Sequence, residues 1–275
     1  MPQFVTSDGL TLFYTDEGAG LPLLCLAGLT RDGRDFDYLA PHLDAAKVRL
    51  IRLDYRGRGR SDWGDPASYT IPTEARDALE LLDHLGLAQA AVLGTSRGGL
   101  IAMVLAASAK ARLLGVALND IGPEIAPEGL EVIKGYLGRN PVWRNHDEAA
   151  AARGAVMRGF ADVPASRWRA EVEKFYRETP EGLVITYDPA LREAVLGSGA
   201  QPAADLWPLF DALKGLPLCA LRGAGSDLLS PETFAQMTAR RPDMIAAEIP
   251  GRGHVPFLDE PAALDALARW LRMLG

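Results

Sequence analysis

The chain has 275 residues, enough for one large α/β unit or for a core with an inserted subdomain, and its 29 Lys and Arg against 36 Asp and Glu leave a formal charge of −7. That balance has the wrong sign for tracking nucleic-acid phosphates. The longest apolar run, GGLIAMVLAA at 98–107, is well short of the roughly 18 residues that a membrane-spanning helix needs. The opening MPQFVTSDGL shows neither the basic start nor the apolar stretch of a secretory signal. A soluble, cytoplasmic protein acting on a small molecule is expected, with no nucleic-acid or membrane partner and with homo-oligomerisation left open.

In chain order, QFVTS and LTLFYTDEG, parted by Asp8-Gly9, predict a hairpin, since Asp-Gly is a favoured two-residue turn. Six apolar runs that end in loops follow: LPLLCLAG, VRLIRLD, AAVLGTS, GVALNDIG, PLCALRG and MIAAEIPG. They alternate with helical patterns, which is the mark of βαβ units around a mostly parallel, doubly wound α/β sheet of about eight strands. IPTEARDALELLDHLGL repeats Ile71, Ala75, Leu79, Leu82 and Leu85 at helical spacing, with Pro72 suited to the first turn and Gly86 to the stop. EPAALDALARWLRMLG carries Leu264, Leu267 and Leu271 in the same way and predicts a closing helix.

The rhythm breaks between Gly122 and Asp205, where the composition is mostly helical, with prolines and no long β-branched run. This predicts a helical lid, 122–205, inserted after strand 6 into a core made of 1–121 and 206–275. Nine of the 20 aromatic residues fall between 122 and 210. They suit a lid over an apolar pocket, although each can equally fill a small core of the insert itself. Two cysteines, Cys25 and Cys219, both inside apolar runs, are expected to be inert core thiols, and neither a disulfide framework nor a metal site can be built from them. The histidines at 42, 84, 146 and 254 are too scattered for zinc spacing.

GTSRGG meets the pattern Gly-x-Ser-x-Gly with Gly94, Ser96 and Gly98, after a strand and before the helical GGLIAMVLAASA. A strand-to-helix turn this tight strains the serine backbone and leaves no room for bulk two positions to either side. It presents the hydroxyl at the sheet edge, which makes Ser96 the candidate nucleophile. A serine hydroxyl needs a base, and the base needs a carboxylate. His254, in the Gly-rich IPGRGHVPF, and Asp227, in RGAGSDLLSPE, supply them in the order Ser, Asp, His.

With LAGLTRDGRDF, LDYRGRGRSD, GTSRGG, RGAGSD and GRGHVPFLDEP in place, the chain resembles the α/β-hydrolase family over nearly its whole length. The resemblance implies a serine hydrolase with no cofactor and no metal, and an oxyanion hole from the backbone N–H groups of Leu29 and Arg97. Ala27-Gly28 stands where many relatives have His-Gly, which alters the support of that loop but not the main-chain donor. Asp120, in VALNDIGPE, also ends a strand and could orient the histidine, but Asp227 is preferred because it lies on the loop that the resemblance designates. The arginines of RGRGR at 56–60 are expected to tie loops together, and the Arg97 side chain either forms a salt bridge or meets an anionic group of the substrate.

The expected activity is hydrolysis of a small to medium, largely apolar ester through an acyl-enzyme. Carbon-carbon hydrolysis of ring-fission products, lactone opening and peracid formation are alternatives on the same residues. A non-catalytic ligand-binding protein on a hydrolase scaffold is a further one. Ser96 argues against dehalogenation of haloalkanes and opening of epoxides, whose related enzymes carry an aspartate there.

Overall fold

Strand-forming runs that alternate between two buried faces dictate the centre of the fold, seen here in a computed structural model that describes residues 2–197 and 205–275. The opening hairpin forms as β1 (Gln3–Val5) and β2 (Thr11–Gly18), paired antiparallel. The six apolar runs become β3 (Leu21–Leu26), β4 (Val48–Leu53), β5 (Ala90–Thr95), β6 (Leu113–Asn119), β9 (Leu218–Gly223) and β10 (Ile245–Ile249). Together they make an eight-stranded sheet in the order β1-β2-β4-β3-β5-β6-β9-β10. From β4 to β10 all neighbours run parallel.

All six residues of β5 are buried, as a strand covered on both faces requires. Val92 points into the cluster that holds Ala78 and Leu82 of α1 (Ile71–His84) and Ile101 and Met103 of α2 (Arg97–Ser108). Ala91 and Leu93 point the other way, into the cluster that holds Ala263, Leu267 and Trp270 of α9 (Pro261–Leu271). Helix α1 starts where its sequence asks: the Thr70 hydroxyl accepts from the Thr73 N–H at 3.2 Å, Pro72 sits in the first turn, and Gly86 takes a φ of 66° just beyond the end. Cys25 and Cys219 are buried and free, and burial pushes the Cys219 thiol up to about 12. No helix among the described residues is long and apolar enough to cross a membrane.

The segment after β6 carries α3 (Pro127–Tyr136), α4 (His146–Val156), α5 (Ala165–Phe175) and α6 (Leu191–Gly197). It also contains an antiparallel hairpin that helical composition did not announce, β7 (Tyr176–Thr179) with β8 (Gly182–Ile185). Only Leu183 of β8 is fully buried, so the hairpin lacks the long apolar run by which a core strand is recognised. Residues 198–204, at the end of the expected insertion, lie outside the described residues. Short α7 (Trp207–Asp211) leads back into β9, and α8 (Pro231–Arg240) joins β9 to β10.

Polar contacts fasten this segment to the sheet: Arg34 donates to the Lys174 carbonyl at 2.7 Å, Ala161 N–H donates to the Gly251 carbonyl at 3.0 Å, and the Tyr69 hydroxyl donates to Asp188. Trp168 packs with Val172, Leu183 and Phe257 in a cluster of its own, and the same Trp168 lines the cavity described below.

Candidate active site

The strand order reverses around β3, with β4 on one side and β5 on the other, and the crevice at the carboxyl ends of such strands is where ligands bind in open α/β sheets. Ser96 stands there, between the end of β5 and the first residue of α2, with φ 51° and ψ −116°. A positive φ is costly for a residue with a side chain, and the surrounding glycines allow the turn that enforces it. A Cβ at Gly94 would overlap the backbone of Gly98, one at Gly98 would overlap the Leu26 carbonyl, and one at Gly99 would overlap the Ile121 side chain. Gly98→Ala is therefore expected to destabilise the protein by about 1–3 kcal/mol, because backbone rather than a flexible side chain must yield. A thermal melt unchanged from wild type would contradict this.

His254 lies in the loop between β10 and α9. Its Nε2 is 3.0 Å from Ser96 Oγ, and its Nδ1 is 2.7 Å from Asp120 Oδ2. The carboxylate that meets the histidine is thus Asp120 and not Asp227, which corrects the sequence expectation. Strands β6 and β9 are neighbours, so the residue after β6 and the loop after β9 approach the same place. Asp120, fully buried at φ 55°, accepts from the Gly223 N–H at 2.8 Å and from the Ser226 hydroxyl at 2.7 Å as well as from His254. The β9 loop thus supplies donors that hold the carboxylate. Asp227, one residue past Ser226, makes no side-chain hydrogen bond or ion pair among the described residues and is absent from the cavity wall.

Asn119 was not singled out from sequence. Its side-chain amide donates to Thr95 Oγ1 and to the Pro256 carbonyl, both at 3.2 Å, and its main-chain carbonyl accepts from the Ser96 N–H at 3.0 Å. It therefore ties the serine turn to the histidine loop. The available signal was Asn119-Asp120 at a strand end, where Asp120 takes the left-handed backbone that Asn and Asp best tolerate.

Arg97 does not reach the cavity wall. Its Nε is 2.6 Å from Glu74 Oε2 and its Nη2 donates to the Tyr69 carbonyl at 3.0 Å, which favours the salt-bridge alternative. Arg56 and Arg58 of RGRGR act as ties. Arg56 pairs with Asp77 at 2.7 Å, while Arg58 pairs with Glu74 at 2.8 Å and donates to the Leu29 carbonyl at 2.9 Å. The other histidines stay away from Ser96: His84 packs against the rings of Phe4 and Tyr14, and His146 opens α4.

Ser96 and His254 open into a cavity between the sheet edge and the segment after β6. Gly28, Leu29, Thr95 and Asn119 contribute from the sheet edge. Ile133, Tyr136, Met157, Phe160, Trp168 and Phe175 contribute from the segment after β6, and most of this wall is apolar. Arg31, Asp35, Arg153 and Glu171 form a charged region on it.

Residues 23–267 match the alpha/beta hydrolase family, and the chain belongs to it. A 3-hydroxybutyrate-oligomer hydrolase from Cupriavidus necator is 37% identical over 252 residues, which span 88% of this chain and 85% of that one. A 2-(acetamidomethylene)succinate hydrolase from Mesorhizobium japonicum is 26% identical over 247 residues, 89% of this chain and 85% of that one. Among solved structures, an alpha/beta hydrolase from Novosphingobium aromaticivorans superposes with a TM-score of 0.90 at 39% identity, covering 98% of this chain and 97% of that one.

Proposed function

We propose that the chain is a serine hydrolase that cleaves carboxylic esters of small to medium, largely apolar acyl groups through an acyl-enzyme. The observation that carries this is the hydrogen-bonded series from Ser96 through His254 to Asp120 at the wall of an apolar cavity. With its proton on Nδ1, His254 donates to Asp120 and accepts from the Ser96 hydroxyl at Nε2. As it takes that proton, Ser96 Oγ attacks the ester carbonyl, and the N–H groups of Leu29 and Arg97 receive the oxyanion. The C–O bond breaks, the alkoxide leaves with the proton from Nε2, and the acyl group stays on Ser96. Water, deprotonated by His254, then releases the acid and restores the serine.

Asp120 fixes the imidazole tautomer and stabilises the imidazolium. The segment after β6 is the lid in this scheme, since its side chains form the far wall of the cavity. The name of the Cupriavidus necator relative supports an ester bond, because hydroxy acids joined head to tail are esters. The experiment is steady-state hydrolysis of p-nitrophenyl esters of graded acyl length beside Ser96→Ala. Turnover that peaks at short to medium chains and vanishes with Ser96 is the expected result. Equal rates for the two proteins, or no turnover by folded wild type, overturn it.

A further inference from the structure

Arg153, on α4, lines the same cavity as Ser96 and His254. Its neighbours are charged and form ion pairs with one another, although Asp35 Oδ2, Glu171 Oε1 and Lys174 Nζ are also buried without a hydrogen-bond partner. Arg31 pairs with Asp35 and, at 2.8 Å, with Glu171, whose other oxygen lies 3.5 Å from Lys174 Nζ. Arg153 forms no ion pair with any carboxylate among the described residues, and its Nε is buried without a hydrogen-bond partner. It is held instead by the Phe175 ring, whose centroid is 4.4 Å from its Cζ, and Arg31 stacks on that same ring at 3.8 Å.

On the cavity wall Arg31 and Arg153 stand beside Asp35 and Glu171, and of these two cations Arg31 holds the ion pairs while Arg153 holds none among the described residues. Burial and the nearby Arg31 push the Arg153 guanidinium below its ordinary value, as expected of a cation without a counter-ion. A half-buried guanidinium whose Nε is shielded from water without an acceptor is costly unless an anion completes it. The cavity is the route by which one can arrive.

We infer that Arg153 binds a carboxylate carried by the substrate, so that the ester cleaved at Ser96 bears a free carboxylate group in addition to the scissile bond. This rests on the ester-hydrolase function proposed above and adds a substrate class to it. A planar guanidinium matches a carboxylate in two parallel N–H···O bonds, and stacking on Phe175 holds its plane in place. Arg97, the cation nearest Ser96 in sequence, is spent on Glu74 and cannot serve.

The test compares wild type, Arg153→Met and Arg153→Lys on ethyl butyrate, monoethyl glutarate (carboxylate on the acyl side) and 3-butanoyloxypropanoate (carboxylate on the alcohol side). Arg153→Met is expected to raise KM for at least one charged ester by about 10- to 100-fold, at least about tenfold more than for ethyl butyrate, with partial recovery in Arg153→Lys. Calorimetric titration of glutarate into Ser96→Ala, with and without Arg153→Met, reads the anion site without turnover. Failure of all three esters to react would overturn ester hydrolysis alone, and a loss of glutarate affinity in Arg153→Met would still sustain the carboxylate site. Equal KM changes for charged and neutral esters, or glutarate binding indifferent to Arg153, would overturn it.

Discussion

Asp120→Asn is expected to lower kcat by about 10⁴ without unfolding the protein, whereas Asp227→Asn stays within about twofold of wild type. Asp120 is fully buried and its Oδ2 faces His254 Nδ1 at 2.7 Å, the place of the carboxylate that holds a catalytic imidazole in its Nδ1–H tautomer. An asparagine amide in that place offers an N–H group of its own toward Nδ1. The histidine then carries its proton on Nε2, where it must instead accept from Ser96. The Gly223 N–H, which bonds Oδ1, keeps its acceptor in the amide oxygen, while the Ser226 hydroxyl, which shares Oδ2 with His254, turns to accept from the amide N–H, and this keeps the fold. Turnover of a p-nitrophenyl ester, with circular dichroism melts of both variants, decides the matter. Loss in Asp227→Asn with Asp120→Asn active would place the carboxylate on the β9 loop after all.

Glu74→Ala is expected to cost about 3–5 kcal/mol of stability, the range found when one partner of a buried ion pair is removed. Glu74 is fully buried in the first turn of α1 between Arg58, equally buried, and Arg97, whose side chain is 11% exposed. Arg58 also holds the Leu29 carbonyl, and Arg97 opens α2 directly after Ser96, so this one carboxylate fastens both loops that border the nucleophile. Urea unfolding of wild type and variant measures the difference, and a change below about 1 kcal/mol would contradict it.

The pH dependence follows from the same geometry. Burial acts to raise the Glu74 carboxyl, and the Arg58 and Arg97 guanidiniums outweigh it, leaving the group below its ordinary value. A carboxyl depressed in the folded state contributes stability that is present above its unfolded pKa and lost as pH falls through the folded one. The stability gap between wild type and Glu74→Gln is therefore expected to be full near neutrality and to shrink as pH falls below the ordinary carboxylate range.

Both halves of the fold were legible where local chemistry forces local structure. The Asp8-Gly9 turn, the alternating apolar runs and the Thr70, Pro72 and Gly86 signals of α1 each act within a few residues, and the corresponding elements formed. The hairpin after α5 escaped notice because a strand pair on the surface of an insertion needs no continuous apolar run.

The sequence by itself determined the sheet, the identity of Ser96 as the strained residue of a glycine-walled turn, and His254 as its neighbour. That turn is written in Gly94, Gly98 and Gly99, whose missing side chains are required by backbone and side chains that any strand-turn-helix of this kind brings close. Only the tertiary structure decided which carboxylate meets the histidine. Asp120 lies 134 positions before His254, and it reaches the ring because β6, β9 and β10 are neighbours in that order and the loop after β10 returns to the end of β6, a pairing that no stretch of sequence between them encodes locally. The same holds for charge. Arg97 and Arg153 look alike in sequence, and only packing shows that Glu74 neutralises the first while the second faces the cavity without an ion-pair partner among the described residues.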